Sequence, residues 1–338
     1  MKHIRMIKVY LTCFVTFIFF LIFISCSLVA TRPNVSGSDL EGEISISGAF
    51  ALYPLAVKWA DEFKKENPGV KIDISAGGAG KGMTDVLSNM VDIGMVSREV
   101  YASEIEKGAF PVGVAIDAVV PVINAKNPLA RKLMHTGLSV ETARRIWINE
   151  SCKTWEQVIG SKGNTPLRVY TRSDACGAAE TFAAWMGKKQ EDLGGTAVFG
   201  DPGLAMAVQK DMLALGFNNL SYAYDEKTRK PNKGLLIIPL DVDGDGKVSH
   251  NEQFYKTKDK LIKAIAENKY PSPPARELYM VLKGKPNNPA LIAFLTYILT
   301  RGQEHNIPMG YIRLSDDSLN QSLSKLGVKT NKTSTAVE

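Results

Sequence analysis

Strand-like and helix-like segments alternate along most of this chain, and this alternation limits the fold more than any other feature of the sequence. The segment EISISGA, from residue 43, has the period-two pattern of a strand. The next segment places Leu55, Trp59 and Phe63 on one helical face and stops at Pro68. A strand, VKIDISAGG, then a short helix and the buried strand DIGMVS follow. This β-α-β-α-β order predicts an α/β fold with an open sheet.

A second α/β block follows the first. It contains the helical segment SVETARRIWI, the strand and turn LRVYTRSD, and the helical segment GAAETFAAWMGKK. The strand GLLIIPL then runs into an acidic loop, and ELYMVLKG predicts one more strand near the end. The chain has 338 residues, of which 45% are hydrophobic and 22% charged. This length and composition predict about two globular domains.

The net charge of +6 is spread along the chain. It gives a weak preference for anionic partners, or simply a solvated basic surface. We find no basic stripe interleaved with aromatic residues, so we expect no nucleic-acid partner.

The first 26 residues have the composition of a secretory signal. Basic residues precede the apolar run LTCFVTFIFFLIFI, which is too short and wrongly flanked for a membrane span. The run ends in FISC, which resembles the lipobox of bacterial lipoproteins and implies cleavage before Cys26 and a lipid on that residue. The alternative is an uncleaved anchor with an incidental cysteine. Polar residues 27–42 then predict a tether, and the folded part is expected outside the cytoplasm.

Two further cysteines, Cys152 and Cys176, belong to the folded part of the chain. An oxidising compartment permits a disulfide between them. The alternative is two buried free thiols, and sequence alone does not give the geometry that would decide.

Three segments share one design, in which a strand, a turn of small residues and a helix follow one another. They are ISISGAFALYPLA, DISAGGAGKGMTDVL and VYTRSDACGAAETFAAW. Helix starts carry unpaired N–H groups and the positive end of the helix dipole, and small side chains let a ligand approach them. Three such starts facing one cleft would bind an oxyanion. The alternative for any one of them is a glycine that only the turn requires.

Two arginines, Arg98 and Arg172, follow strands at their carboxyl ends, the edge at which open α/β sheets bind ligands. The guanidinium fork suits an oxyanion, and Lys81 in the second turn can add a point charge. A surface salt bridge is the alternative for each of the three.

The order of these segments resembles the phosphate-binding components of bacterial ABC importers, over residues 43–327. The loop RSDACGA is similar to the family's R-x-x-x-S-G-T, and VDIGMVSRE is similar to its D-x-G-x-S. The resemblance implies a two-lobed type II periplasmic-binding-protein-like fold with a hinge of crossing strands. It implies that residues 43–117 plus 277–330 form lobe 1 and residues 118–276 form lobe 2.

Carried over position by position, the family's binding residues depart from its pattern. Cys176 and Ala178 replace a serine and a threonine, and Ser97 or Arg98 stands where the family has a carboxylate. The ligand-binding residues that the resemblance implies are Ala49, Phe50, Gly80, Lys81, Gly82, Arg98, Arg172, Cys176, Gly177 and Ala178. Most hydroxyl donors are lost, and Ala49 and Phe50 can offer only backbone N–H groups.

The replaced carboxylate matters because it would accept a hydrogen bond from protonated phosphate and repel sulfate. A buried polar group that lacks its hydrogen-bond partner costs about 1–3 kcal/mol. Such a carboxylate therefore discriminates between anions that can and cannot donate to it. Asp117, Asp174 and Glu180 are the candidates to replace it.

The stretch DVDGDGKVSHNE, residues 241–252, matches the twelve-residue calcium loop. The predicted ligands are Asp241, Asp243, Asp245, the carbonyl of Lys247, Ser249 and Glu252. A strand precedes the loop, so this is not an EF-hand domain, and we expect a structural Ca²⁺ in lobe 2. The alternative is a solvated turn rich in aspartate.

These features predict a lipid-anchored receptor of the periplasm or cell surface. It is expected to be a monomer that binds an inorganic oxyanion, phosphate first, and delivers it to the membrane subunits of an ABC importer. Alternatives are a receptor for sulfate or molybdate, or a surface or signalling protein that kept the fold without transport. A phosphoryl-transfer or hydrolytic enzyme is disfavoured because Cys176 has no recognisable histidine partner in the sequence.

Overall fold

The computed structural model describes residues 40–328, and a nine-stranded sheet runs through this part of the chain. The strands are β1 (Gly42–Gly48), β2 (Val70–Ala76), β3 (Ile93–Val96), β4 (Ala109–Asn124), β5 (Arg168–Arg172), β6 (Thr196–Val198), β7 (Ala214–Asn219), β8 (Leu235–Ile237) and β9 (Ala275–Lys283). Their order is β2-β1-β3-β9-β4-β7-β5-β6, and β8 pairs with β4. The predicted signal, the lipidation site at Cys26 and the tether as far as residue 39 lie outside the described residues.

Helices connect the strands. They are α1 (Tyr53–Glu66), α2 (Ala79–Leu87), α3 (Ala102–Glu106), α4 (Ala130–Thr136), α5 (Val140–Ala143), α6 (Trp155–Val158), α7 (Gly177–Trp185), α8 (Gly200–Lys210), α9 (Leu220–Ala223), α10 (Lys258–Ala266), α11 (Pro289–Leu299), α12 (Asn306–Met309) and α13 (Asp316–Leu326). A π-helical turn, Arg144–Ile148, extends α5, and 3-10 turns occur at Gln190–Asp192, His250–Glu252 and Arg301–His305. Within residues 40–328, every helix is too short or too polar to cross a membrane.

The helix α1 forms where the hydrophobic periodicity predicts it. Leu55, Trp59 and Phe63 are buried on one face, against the core. The indole N–H of Trp59 donates to the carbonyl oxygen of Gly302 at 2.8 Å, so burial leaves this polar group satisfied. A proline in the first turn costs no hydrogen bond there.

The antiparallel pair β4 and β9 runs through the middle of the sheet. Asp117 of β4 lies opposite Arg276 of β9 in the register. Buried apolar residues of 44–115 and 278–326 form one cluster, and those of 118–275 form two others, one of which also includes Ile312. The clusters therefore change at the predicted lobe boundaries. Contacts join the described residues into one compact unit, and the two-lobe division stays a prediction.

Lys258, at the start of α10, is a buried cation. Its ammonium donates to the carbonyl oxygen of Met309 at 3.0 Å and lies 5.9 Å from the ring centroid of Tyr311. Burial lowers the pKa of Lys258 to about 8.

A lowered pKa makes stability depend on pH. The unfolded chain, with an ordinary lysine pKa of 10.5, binds the proton more tightly than the folded chain does. The contribution of Lys258 to stability therefore rises as pH rises from about 8 to about 10.5. We expect K258M to lose stability relative to the wild type over this interval, by up to about 3 kcal/mol in urea unfolding. The control is K263M on the same helix, where the lysine is exposed; a similar pH trend in both variants would contradict the prediction.

Candidate functional site

The three loops that the sequence predicts as helix starts meet one another. The N–H of Gly80, after β2, donates to the carbonyl oxygen of Ala175, after β5, at 3.0 Å. A Cβ placed on Gly177 would lie 2.1 Å from the carbonyl oxygen of Ser97, so only glycine fits there. The loops of predicted lobes 1 and 2 are therefore in direct contact.

The loop after β1 reaches the same junction through Phe50. Its ring centroid lies 5.8 Å from Cζ of Arg172 and 6.1 Å from the ring centroid of Phe199, in an edge-on arrangement. Its carbonyl oxygen accepts a hydrogen bond of 3.2 Å from the hydroxyl of Tyr222. All three loops thus converge around Arg172.

Arg172 is held between two carboxylates, and its side chain is 1% exposed. Its Nε and Nη2 donate to the two oxygens of Asp174 at 2.8 and 2.6 Å, and Nη1 donates to Asp201 at 2.7 Å. Burial opposes the charge, but Asp201 and Asp174 outweigh it and raise the pKa of Arg172. The guanidinium is therefore a permanent, well oriented cation at the junction.

Some of the backbone donors predicted for an anion are already used. The N–H of Ala49 donates to a β3 carbonyl at 2.9 Å, and that of Cys176 donates to Oε1 of Gln190 at 3.0 Å. Gly177 and Ala178 begin α7, and first-turn N–H groups have no partner within their own helix. The first-turn N–H groups of α7 are therefore the candidate backbone donors near Arg172, and Gly177 and Ala178 are themselves buried.

Cys176 acts as the N-cap of α7. Its sulfur accepts a hydrogen bond of 3.4 Å from the N–H of Ala179, and burial raises the pKa of the thiol to about 12. Cys176 and Cys152 are both free and buried, so this pair is two thiols rather than a disulfide.

The two other predicted cations pair with carboxylates a few residues away in the chain. Arg98 donates to both oxygens of Glu104 at 2.9 and 2.7 Å, and its guanidinium lies 4.4 Å from the ring centroid of Tyr101. Lys81 pairs with Asp85 one turn along α2. This placement supports the salt-bridge alternative for both, as the pairs with Asp174 and Asp201 do for Arg172. Ligand contact by any of the three stays a prediction.

Gly80 and Gly82 let α2 pack closely against its neighbours. A Cβ on Gly80 would lie 2.6 Å from Cβ of Ala175, and one on Gly82 would lie 2.6 Å from the carbonyl oxygen of Met95. Close packing is therefore a sufficient reason for glycine at both positions, and their role in ligand binding stays a prediction.

The acidic loop 241–252 is wound around its own carboxylates. Asp241 and Glu252 are buried, and each accepts two backbone N–H groups of the loop at 2.7–3.0 Å. Asp245 is exposed and accepts the N–H of Lys247 at 2.8 Å. Oxygens of Asp241, Asp243 and Glu252 lie within 4.8 Å of one another. This arrangement of oxygens fits a hard cation such as Ca²⁺.

The same loop is anchored to α4. The N–H of Val248 donates to the carbonyl oxygen of His135 at 2.7 Å, and the N–H of Asp241 donates to that of Leu138 at 3.2 Å. Ser249 caps the short turn His250–Glu252 that closes the loop. These contacts place the loop on predicted lobe 2, among residues other than those around Arg172.

Three polar residues beside Arg172 were not predicted from the sequence. They are Asp201 at the start of α8, Asn219 at the end of β7 and Arg276 at the start of β9, and all are buried. The available signal was a charged or amide side chain inside or next to an apolar segment, as in ARELYMVLK. Periodicity does not say which neighbours such a residue will find.

The chain is similar to known proteins over most of its length. A family model described as the PBP superfamily domain matches residues 33–301. The protein SphX of Synechococcus elongatus is 30% identical over 224 residues, which is 64% of this chain and 63% of SphX, so the match spans less than two thirds of that protein. The phosphate-binding protein PstS of Xylella fastidiosa is 24% identical over 322 residues, which is 86% of this chain and 87% of PstS.

A solved structure supports the fold. The structure of a substrate-binding protein with bound phosphate from Clostridium perfringens superposes with a TM-score of 0.66 at 22% identity. The match covers 81% of this chain and 100% of that chain. Together with the family model, this likeness confirms the predicted α/β fold of the type II periplasmic-binding-protein kind.

The buried pair Arg172–Asp201 generates a prediction about stability. We expect D201A to lower the free energy of unfolding by about 3–5 kcal/mol, because it leaves a buried guanidinium without one of its partners. The control is D316A, which breaks the exposed Arg313–Asp316 pair of 2.6 Å and should cost at most about 1 kcal/mol. Equal small losses in urea unfolding would contradict the buried charge pairing described here.

Proposed function

This chain belongs to the PBP superfamily, and we propose that it is an extracytoplasmic receptor that captures inorganic phosphate for an ABC importer. One observation carries the proposal: a buried arginine lies where three loops meet, beside the start of α7. A fixed guanidinium and the first-turn N–H groups of a helix are complementary to a tetrahedral oxyanion. The name of the relative PstS, a phosphate-binding protein, supports phosphate as the anion.

Asp174 is the acceptor that we propose to read a proton on phosphate. Its side chain is 7% exposed and binds Arg172, and Oδ2 lies 3.0 Å from where a Cβ on Gly78 would be. It therefore faces the loop after β2 as well as the arginine. Two carboxylates around one guanidinium disfavour a fully ionised dianion such as sulfate, whereas hydrogen phosphate can donate a hydrogen bond to one of them.

Contacts already made by the protein favour a second candidate, the surface or signalling protein without transport. The N–H groups of Ala49 and Gly80 are bonded to protein carbonyls rather than free for an anion. A protein of this kind would bind no oxyanion, whereas the receptor would bind one.

The protonation of Cys176 supports a receptor over a cysteine enzyme. A thiol whose pKa is raised to about 12 is not the thiolate that nucleophilic catalysis uses. Capture and release of phosphate need no chemical step.

We also propose that the receptor is held at the membrane by a lipid on Cys26 and acts as a monomer with the importer's membrane subunits. The sequence FISC supports the lipid. The predicted tether, residues 27–42, would connect the lipid to the folded part.

Isothermal titration with phosphate, sulfate and molybdate tests the receptor. We expect wild-type protein to bind phosphate and R172A to bind it about 10- to 100-fold more weakly, since a hydrogen bond to a charged group contributes about 1.5–3 kcal/mol. R172K keeps the charge but not the forked guanidinium, so its affinity for phosphate should lie between those of the wild type and R172A. If R172A does not fold, R172K replaces it in the comparison. The control D243A should bind like the wild type. Equal losses in R172A and D243A would place the anion elsewhere, and no binding of any anion would favour the second candidate.

We propose that loop 241–252 binds a structural Ca²⁺ through Asp241, Asp243, Asp245, the Lys247 carbonyl, Ser249 and Glu252. Close carboxylates repel one another without a cation, and Glu252 can supply both oxygens. Binding to the folded state alone stabilises that state by mass action.

Thermal unfolding with calcium and with a chelator tests the site. Calcium at about 100 times its Kd should stabilise the folded protein by about 3 kcal/mol. E252Q should lose this gain, while E267Q, an exposed change in the same lobe, should keep it. A calcium-dependent shift that survives in E252Q would overturn the assignment.

A further inference from the structure

Arg276 is a buried arginine on one of the two central strands. It is 8% exposed, and on β9 it lies opposite Asp117 of β4, with Nη2 at 3.5 Å from the Asp117 carboxylate. Asp117 is fully buried, and within residues 40–328 its oxygens have no hydrogen bond of good geometry. The two charges thus face each other where the chain passes between the predicted lobes.

The guanidinium of Arg276 holds the start of α7. Its Nη1 donates to the carbonyl oxygen of Gly177 at 2.5 Å and to the hydroxyl of Thr181 at 3.1 Å. Gly177 is the first residue of α7, the helix whose first-turn N–H groups we propose as anion donors. A change in the position of Arg276 therefore moves those donors directly.

A second path leads from Arg276 to Arg172. Nη2 of Arg276 donates to Oδ1 of Asn219, and Nδ2 of Asn219 donates to Asp201 at 2.5 Å. Asp201 accepts from Nη1 of Arg172 at 2.7 Å. A continuous line of buried polar side chains thus joins Asp117, on the central strand, to the guanidinium at the loop junction.

This line of polar side chains reaches both groups that we propose to donate hydrogen bonds to the anion. One branch ends at the first turn of α7 and the other at Arg172, and only a forked side chain reaches Gly177, Thr181 and Asn219 together. Lysine would supply the charge at a single point.

We infer that Arg276 is a positioning residue for anion capture, which aligns Arg172 and the start of α7 with each other from the central strands. The inference rests on the proposed phosphate-receptor function. Arg276 acts through Asn219, Asp201 and Gly177.

A merely structural arginine would give a different result in binding experiments. Removing Arg276 alone leaves Asp117 as a buried unpaired charge, which is destabilising for any role of the arginine. Neutralising both residues in D117N/R276Q removes that cost without restoring the fork. If Arg276 positions the anion donors, the double variant regains stability but not phosphate affinity. If Arg276 is only structural, the double variant regains both.

The test measures phosphate affinity by titration and stability by thermal unfolding in wild type, R276Q, R276K and D117N/R276Q. We expect R276Q to bind phosphate at least about 10-fold more weakly, and R276K to resemble R276Q more than the wild type. The double variant should recover thermal stability relative to R276Q but keep the weakened binding. If R276Q does not fold, the double variant carries the comparison.

The matched control is R229Q. Arg229 also bridges the predicted lobes, donating to the carbonyl oxygens of Pro308 at 3.1 Å and Ile307 at 3.3 Å, but its contacts lie apart from Arg172. R229Q should bind phosphate within about twofold of the wild type, a difference of less than about 0.5 kcal/mol. Wild-type affinity in R276Q or in D117N/R276Q, or an equal loss in R229Q, would overturn the inference. A wild-type chain that binds no oxyanion would overturn the proposed function and this inference with it.

Discussion

The structure around the candidate site depends on one constraint, which is that each of several buried charges must lie beside a charge of opposite sign. Arg172 and Arg276 are cations with almost no access to water, and Asp117, Asp174 and Asp201 surround them. Burying such charges is costly, and only pairing with good geometry makes it tolerable. This set includes one residue each from β4, β5 and β9, and Asn219 at the end of β7 binds Asp201. Their relative positions are therefore fixed by electrostatics as well as by the sheet.

Anion recognition here would use a different balance of groups from the one implied by the family pattern. Cysteine and alanine stand at the hydroxyl positions of the third loop, and Cys176 instead caps its helix. The acceptor that the pattern places near Ser97 is absent from that position, whereas Asp174 and Asp201 lie on Arg172 itself. The candidate site thus relies on one arginine and its two carboxylates rather than on many neutral donors. This is the physical basis for proposing that the site distinguishes a protonated from a fully ionised anion.

Much of the fold could be predicted from local patterns, and the site only in part. The α/β fold was confirmed, and α1 lies where Leu55, Trp59 and Phe63 predict it. The sequence suggested that the three helix starts could face one cleft, but strand order alone does not bring them together. The strand β5 runs antiparallel to β1 and β2 through the sheet, so the third loop meets the others only through the tertiary fold. Arg98 and Lys81 have the same sequence signal as Arg172, yet they pair with Glu104 and Asp85. Asp201, Asn219 and Arg276 were missed, since each is distant from Arg172 in sequence. The lobe boundaries and the calcium ligands stay predictions.

The sequence by itself determined the alternation of elements, the small residues at the helix starts and the ligand order of the acidic loop. These are properties of neighbouring residues, and period, turn chemistry and spacing are sufficient to express them. Only the tertiary structure decided which cation stands at the junction and which carboxylates hold it. That choice depends on burial and on contacts between residues far apart in the chain, such as Asp117 with Arg276 and Arg172 with Asp201. A local sequence pattern contains no information about burial or about these contacts, because the energy of a buried charge depends on the partners that folding brings to it.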